Sequence, residues 1–115
     1  MDKTLRWKVA LIAGGGRGIG AATAKQLAAL GALVIVNYLK NEAAAKRVVE
    51  EIHANGQLAA AVQADARDPE HVQAMVESIL EENEHIDIMI DCVSSFDAAA
   101  ALRTCSEACR EASAD

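Results

Sequence analysis

The stretch AGGGRGIG, residues 13–20, contains five of the seven glycines in the chain. A glycine inside a helix or strand costs roughly 0.5–1 kcal/mol relative to alanine, so this clustering points to a backbone that must stay bare. The apolar run VALI, residues 9–12, directly precedes it. A short apolar run that ends in glycines is typical of a strand that leads into a tight turn.

Four short apolar runs along the chain predict four β-strands. The second run, LVIVN, is β-branched and apolar on both faces, as expected of a strand that helices cover on each side. The predicted strands occupy Lys8–Ala13, Leu33–Asn37, Leu58–Gln63 and Ile86–Cys92.

Three amphipathic stretches between these runs predict three α-helices. The first begins at Gly18, and Gly31 follows it as the left-handed residue that ends many helices. Asn41 caps the second helix, and Asp68 caps the third, where a proline takes the first helical position. Strands that alternate with helices through right-handed crossovers predict an α/β fold, a doubly wound parallel sheet of about four strands.

Composition and charge exclude several classes of protein. The net charge of −6 argues against nucleic acid as a partner. No run approaches the roughly 20 apolar residues of a membrane span, and no signal peptide precedes the first strand, so we expect a cytoplasmic protein. The three cysteines form no Cys-x-x-Cys pair, and we predict neither a disulfide scaffold nor a metal site.

A strand, a glycine-rich turn and a helix N-terminus together form a phosphate site. The first N–H groups of a helix have no partner inside the helix, and the helix dipole adds about half a positive charge there. Glycines let a pyrophosphate approach this backbone, and the strand–turn–helix context is the one that dinucleotide motifs require. No Gly-Lys-Ser/Thr follows, which excludes a P-loop. The alternative is a tight turn that only permits close strand–helix packing.

The spacing of the glycines is specific. Gly14, Gly18 and Gly20, in the order G-x-x-x-G-I-G, resemble the cofactor motif Thr-Gly-x-x-x-Gly-Ile-Gly of the short-chain dehydrogenase/reductase family. Gly16, Gly18 and Ala21 also satisfy the G-x-G-x-x-A variant of the dinucleotide fingerprint.

Three further stretches resemble the same family, in the same order. LVIVNY, residues 33–38, is similar to the second strand of the acyl-carrier-protein reductase branch. Ala64–Ala66 lies where the family has an Asp that hydrogen-bonds the adenine amino group, and Ile86–Ile90 resembles the lead-in to the Asn-Asn-Ala-Gly motif. The resemblance implies the N-terminal, cofactor-binding half of a three-layer Rossmann fold, with strand order 3-2-1-4.

The resemblance also implies the residues that bind the cofactor. In the glycine loop and at the adenosine end they are Gly14, Gly16, Arg17, Gly18, Ile19, Gly20, Asn37, Tyr38, Asp65 and Ala66.

The charges near the second strand favour NADP over NAD. In dinucleotide sites an acidic residue after the second strand accepts from the ribose 2′-OH, but here that position is the neutral Asn37. Arg17 lies where NADP-preferring members of the family often place a basic residue, and Lys40 follows Asn37 closely. A guanidinium pairs bidentately with a phosphate. The alternative interpretation of Arg17 and Lys40 is solvated surface charge.

The catalytic motif of the family is missing from this sequence. The family carries its chemistry on a Ser, an Asn and a Tyr-x-x-x-Lys motif, whereas the only tyrosine here is Tyr38, and Glu42 is the fourth residue after it. We therefore predict no catalytic residue. We expect the truncated cofactor half of an NADP-dependent oxidoreductase, inactive alone. The alternative is a non-catalytic dinucleotide-binding or structural module that pairs with another chain.

Two positions depart from the family pattern near the glycine loop. Asp91–Ser94 (DCVS) replaces Asn-Asn-Ala-Gly, and Ala13 replaces the leading Thr of the glycine motif. Strand order 3-2-1-4 also leaves Ile86–Cys92 at an edge of the sheet. An apolar edge favours self-association or pairing with a partner chain. A fragment, a frameshifted product and a domain completed by a partner all fit this pattern.

The last part of the chain has a different composition. Residues 97–115 are mostly Ala, Ser, Glu, Arg and Cys, and Leu102 is their only large aliphatic residue. A weakly amphipathic helix would have Leu102, Cys105 and Cys109 as its apolar stripe. We therefore predict an NADP-binding half-domain over residues 1–95 and a helical or disordered Ala-rich tail over residues 96–115.

Overall fold

The computed structural model describes residues 4–14, 16, 18–93 and 96–113, with side chains as far as residue 107. Within these residues the strands are β1 (Val9–Ala13), β2 (Leu33–Tyr38), β3 (Ala59–Gln63) and β4 (Ile88–Asp91). They form one sheet in the order β3-β2-β1-β4, and every neighbouring pair is parallel. The predicted doubly wound sheet and its strand order are confirmed.

Five strand ends differ from the sequence prediction by one or two residues: β1 begins at Val9, β3 at Ala59 and β4 at Ile88, while β2 ends at Tyr38 and β4 at Asp91. Just before β4, the Asp87 carboxylate accepts a hydrogen bond from the Val9 N–H at 2.8 Å. β2 continues to Tyr38, which pairs in register with Gln63 on β3.

The helices are α1 (Gly18–Ala29), α2 (Glu42–Ala54), α3 (Pro69–Asn83) and α4 (Ala98–Ser113). Both predicted caps are confirmed, since the side chain of Asn41 accepts from the N–H of Ala44 and that of Asp68 accepts from the N–H of Glu70. Gly31 adopts the predicted left-handed conformation after α1, with φ of +104°. No helix in the described part of the chain is long and apolar enough to cross a membrane.

The core lies on both faces of the sheet. All five residues of β1 are buried, and they alternate between the two sides. Ala10 and Ile12 pack on one face with residues of α1 and α2, while Val9 and Leu11 pack on the other with residues of α3 and α4. The fold therefore has the three layers that the sequence predicts.

Helix α4 packs against α3 through its small residues. Ala100 and Ala101 are buried in the second core, and Thr104 is buried beside them. The prediction that Leu102 lies in the apolar stripe is wrong, because 60% of its surface is exposed. Alanines let the two helix backbones approach closely, so the side of α4 without the large aliphatic residue faces the core. Cys105 is half-buried, and the side chain of Cys109 lies outside the described residues.

Candidate functional site

A cleft of about 650 Å³ opens at the carboxyl ends of the strands. Its described walls are Gly14, Gly16 and Gly18 of the glycine loop (residues 13–20), residues 37–41 at the end of β2 and beyond it, Ala44 on α2, and Cys92 and Val93 after β4. In open α/β sheets, ligands bind in the crevice at this end of the strands. The structure thus brings five of the predicted cofactor residues to one cleft: Gly14, Gly16, Gly18, Asn37 and Tyr38.

Each of three glycines in the loop is required for a different physical reason. Gly14 has φ of +76°, and a Cβ there would collide with the side chain of Val93. A Cβ on Gly16 would lie 3.3 Å from the backbone nitrogen of Ala45, in the first turn of α2. Gly18 has φ of +55°, and apart from its chain neighbours and the backbone of its own helix, no atom of the described residues lies within 4 Å of a Cβ built on it.

This arrangement leaves the N-terminus of α1 open to the cleft. Gly18 is the first residue of α1 and lines the cleft, and beyond its chain neighbours and its own helix backbone no described atom lies near its Cβ position. The N–H groups of the first helical turn attract anions, so the opening suits a phosphate group. Ile19 is 81% exposed on this turn, and Gly20 is buried within α1. Arg17 lies outside the described residues.

Asn37 forms the floor of the cleft at the end of β2. It is buried, and its amide Nδ2 donates to the carbonyl oxygens of Ala64 at 3.1 Å and Val62 at 3.5 Å. Both acceptors belong to β3 or to the residue that follows it. The side chain therefore bonds to protein backbone.

Tyr38 is tied to α2 at the rim of the cleft. Its hydroxyl donates to the Glu42 carboxylate at 3.0 Å, which raises the pKa of Tyr38 above its ordinary value. The same hydrogen bond, with the nearby ammonium of Lys46, lowers the pKa of Glu42. The pair is solvent-exposed, so its contribution to stability is small.

Asp65 and Ala66 are not among the residues that line the cleft. The Asp65 carboxylate accepts from the backbone N–H of Arg67 at 3.0 Å and from its guanidinium at 3.2 Å, and these bonds lower the pKa of Asp65. Ala66 is buried, and its carbonyl accepts from the N–H of Asp97.

Lys40 provides positive charge at the rim of the cleft. It lines the cleft just after β2, and within the described residues no carboxylate lies at ion-pair distance from it. An unpaired ammonium attracts an anionic group, because it has not been neutralised by a protein partner.

The segment after β4 forms the opposite wall. The Asp91 carboxylate accepts from the Val93 N–H at 2.8 Å and turns the chain, so that Cys92 and Val93 face the cleft. The sequence does not predict Val93 as a site residue. The available signal is that Val93 replaces the Ala of the Asn-Asn-Ala-Gly motif, and the larger side chain covers Gly14.

Most of the chain matches the model of one known protein family. Residues 8–113 match the family model described as short chain dehydrogenase. The chain belongs to the short-chain dehydrogenase family. The predicted resemblance is therefore confirmed, and the family accounts for the glycine loop, the parallel sheet and the strand order together.

Curated relatives of this family are similar to the chain over part of their length. The versicolorin reductase stcU of Emericella nidulans is 46% identical over 82 residues, which are 71% of this chain and 31% of that protein. A 3-oxoacyl-[acyl-carrier-protein] reductase of Synechocystis is 44% identical over 84 residues, 73% of this chain and 34% of that protein. The short-chain dehydrogenase/reductase homolog YusS of Bacillus subtilis is 40% identical over 87 residues, 76% of this chain and 80% of that protein.

Solved structures of the family share the fold. A dehydrogenase/reductase of Sinorhizobium meliloti has a TM-score of 0.80 and 32% identity, over 92% of this chain and 51% of that one. A short chain dehydrogenase of Burkholderia cenocepacia in complex with NADP has a TM-score of 0.74 and 36% identity, over 93% of this chain and 51% of that one. The chain thus spans about half the length of these two structures.

Proposed function

We propose that the chain binds a nicotinamide dinucleotide in the cleft, with NADP preferred over NAD, as the cofactor-binding part of an oxidoreductase. The observation that carries this proposal is the open N-terminus of α1, where Gly18 leaves free space above the first helical turn. The pyrophosphate takes this space, and the adenosine extends toward Asn37 and Tyr38. In a complete oxidoreductase of this kind, bound NADPH would supply a hydride to a carbonyl substrate, and NADP would accept one from an alcohol.

The preference for NADP rests on three residues. Asn37 carries no charge to repel a 2′-phosphate, and Lys40 lines the cleft with no ion-pair partner among the described residues. Arg17 stays a prediction from the sequence as the second basic partner. The Burkholderia cenocepacia structure described above is a complex with NADP, which supports this choice.

The choice of cofactor is tested by titrating wild type and three variants with NADPH and with NADH. Arg17→Ala and Lys40→Gln are each expected to weaken NADPH, Arg17→Ala by about 1.5–3 kcal/mol, because a charged hydrogen bond is lost. NADH affinity stays unchanged in both. Lys25→Gln is the control, because Lys25 pairs with Glu51 of α2 and does not line the cleft. Equal losses for NADPH and NADH contradict a contact with the 2′-phosphate.

We also propose that the chain alone does not catalyse hydride transfer. In the family the tyrosine of Tyr-x-x-x-Lys moves a proton at the substrate oxygen, and the lysine lowers its pKa. Here the only tyrosine is bound to a carboxylate that raises its pKa, which is the opposite change. General acid–base assistance contributes about 10²–10⁴-fold, and no described residue of the cleft supplies it. This observation favours a non-catalytic binding module as the second candidate function.

The absence of turnover is tested by following NADPH absorbance with a panel of ketones and aldehydes. The purified chain is expected to show only the background rate. Turnover that follows the chain through purification and disappears in Gly18→Asp contradicts the proposal.

The edge of β4 is the proposed site of association with a second copy of this chain. Within the described residues β4 pairs with β1 alone, and Ile88, Met89 and Ile90 are only half-buried. An apolar strand with free N–H and C=O groups is a template for strand pairing. Sedimentation velocity at several concentrations is expected to show a dimer that dissociates on dilution, and a monomer throughout contradicts it.

A further inference from the structure

Asn37 differs from the other polar residues of the cleft because it is almost completely buried. Only 2% of its surface is exposed. In the parallel register it lies opposite Val62 of β3, and its amide reaches across to the Ala64 carbonyl at 3.1 Å. A side chain in this state offers very little surface to a ribose.

The hydrogen bonds of Asn37 fix the start of the β3–α3 turn. Ala64 is the residue after β3, and it precedes the predicted adenine residues Asp65 and Ala66. Ala64 is bonded to the end of β2 twice, since its own N–H donates to the Tyr38 carbonyl at 3.0 Å. One of these bonds is between backbone groups, and the other depends on the identity of residue 37.

We propose that Asn37 is a positioning residue, which holds the Ala64–Ala66 turn against the end of β2 and thereby places the adenosine end of the dinucleotide site. This inference rests on the proposed function and adds a role for Asn37 that involves no contact with the cofactor. The pairing of β2 with β3 therefore requires a hydrogen-bond donor on the side chain of residue 37.

The same geometry disfavours an ionised carboxylate at position 37. An aspartate has the shape of Asn37 but, when ionised, has no N–H to donate to the carbonyls of Val62 and Ala64. A buried charge that faces two carbonyl oxygens is strongly disfavoured. An ionised acidic residue, such as the one that accepts from the ribose 2′-OH in many dinucleotide folds, would therefore destabilise this strand pair. The neutrality of position 37 follows from strand packing as well as from the choice of cofactor.

The first test measures the affinities of NADPH, NADH and ADP for Asn37→Ala by calorimetry. Loss of the donor is expected to weaken all three by about tenfold, because the turn is no longer fixed. The NADPH to NADH ratio is expected to stay constant. Gln63→Ala is the matched control, since it removes a side-chain amide that donates to the Leu39 carbonyl at 3.1 Å in an exposed position. A loss confined to one cofactor, or no loss, overturns the inference.

The second test needs no cofactor. Amide hydrogen exchange of Ala64 is expected to be about tenfold faster in Asn37→Ala than in wild type, while amides of β1 change less. Unchanged exchange at Ala64 overturns the inference. If wild type binds no dinucleotide, the proposed function fails, and this measurement alone decides the role of Asn37.

A second variant covers the case in which Asn37→Ala does not fold. In Asn37→Asp, a protonated carboxyl can donate to the Ala64 carbonyl, whereas an ionised one cannot. Burial raises the pKa of such a carboxyl, so its stabilising form is present at low pH and is lost as pH rises. The stability deficit of Asn37→Asp relative to wild type is expected to shrink as pH falls. A deficit that does not depend on pH overturns the inference.

Discussion

At the residue scale, the glycines of the loop meet two requirements, close packing and open access, which the sequence alone does not distinguish. The clustering and spacing of the glycines predict a phosphate loop, and this loop does lie at the cleft. The spacing cannot show that Gly14 packs under Val93 or that Gly16 packs on Ala45, because these contacts join segments far apart in the chain. Of the three described loop glycines that line the cleft, Gly18 is the one with no such contact. Gly14 and Gly16 therefore permit close packing, whereas Gly18 leaves access to the N-terminus of α1.

The contact at Gly14 gives a prediction that a double-mutant cycle can check. Gly14→Ala is expected to cost about 2 kcal/mol or more, because a Cβ strains the left-handed backbone and collides with Val93. Val93→Ala removes the colliding methyl groups. In the double variant the added cost of Gly14→Ala is therefore expected to be smaller, with only the backbone strain left. Urea unfolding of the four proteins measures the coupling, and strict additivity contradicts the contact.

At the element scale, the sequence predicts most strands and helix caps, because periodicity and capping are local signals. Asn41 and Asp68 cap their helices as predicted. The buried face of α4 is not predicted correctly, because a scale of hydrophobicity ranks Leu102 above its alanine neighbours. Close packing against α3 depends on side-chain volume, and Ala101 is fully buried.

The packing of α4 is checked by placing the same charge on two adjacent residues. Ala101→Asp is expected to destabilise the protein by about 3 kcal/mol or more, because an unpaired carboxylate enters the second core. Leu102→Asp is expected to change the free energy of unfolding by less than about 0.5 kcal/mol, since Leu102 is largely exposed. Thermal unfolding compares the two. Equal costs contradict the observed face of α4.

A carboxylate just before β4 is hydrogen-bonded to the start of β1. Asp87 accepts hydrogen bonds from the Val9 N–H at 2.8 Å and from His85 at 2.6 Å. Burial raises the pKa of Asp87, but the bonds from Val9 and His85, with the charges of His85 and Lys8, outweigh it and leave the pKa lowered. Stabilisation by this group is complete above the ordinary Asp pKa of about 3.9 and is lost as pH falls through its lowered value in the folded protein.

Asp87 is therefore expected to contribute to the loss of stability in acid. Asp87→Ala is expected to cost about 1.5–3 kcal/mol at neutral pH, because a charged hydrogen bond is removed. Asp87→Asn keeps an acceptor for the Val9 N–H but has no charge, so its stability should fall less steeply below about pH 4 than that of wild type. Urea unfolding across pH measures both. Parallel pH profiles for wild type and Asp87→Asn contradict this role.

At the scale of the whole molecule, the family and the sheet topology could be predicted because four motifs occur in the correct order along the chain. The shape of the cleft could not, because its walls come from the glycine loop, β2, α2 and the segment after β4. Asn37 shows the difference most clearly. Its position in the sequence predicts a cofactor contact, while its burial and its bonds to β3 indicate support of the neighbouring turn.

The measurement that tests the central claim most directly is titration of wild type, Gly18→Asn and Gly18→Asp with NADPH, followed by nicotinamide fluorescence. Asn and Asp tolerate the left-handed φ of Gly18 and have the same shape, so the pair isolates the effect of a negative charge at the N-terminus of α1. We expect saturable binding of NADPH to wild type, weaker binding to Gly18→Asn, and no detectable binding to Gly18→Asp. Absence of binding to wild type, or equal affinity in the Asn and Asp variants, would contradict the proposed dinucleotide site at the N-terminus of α1.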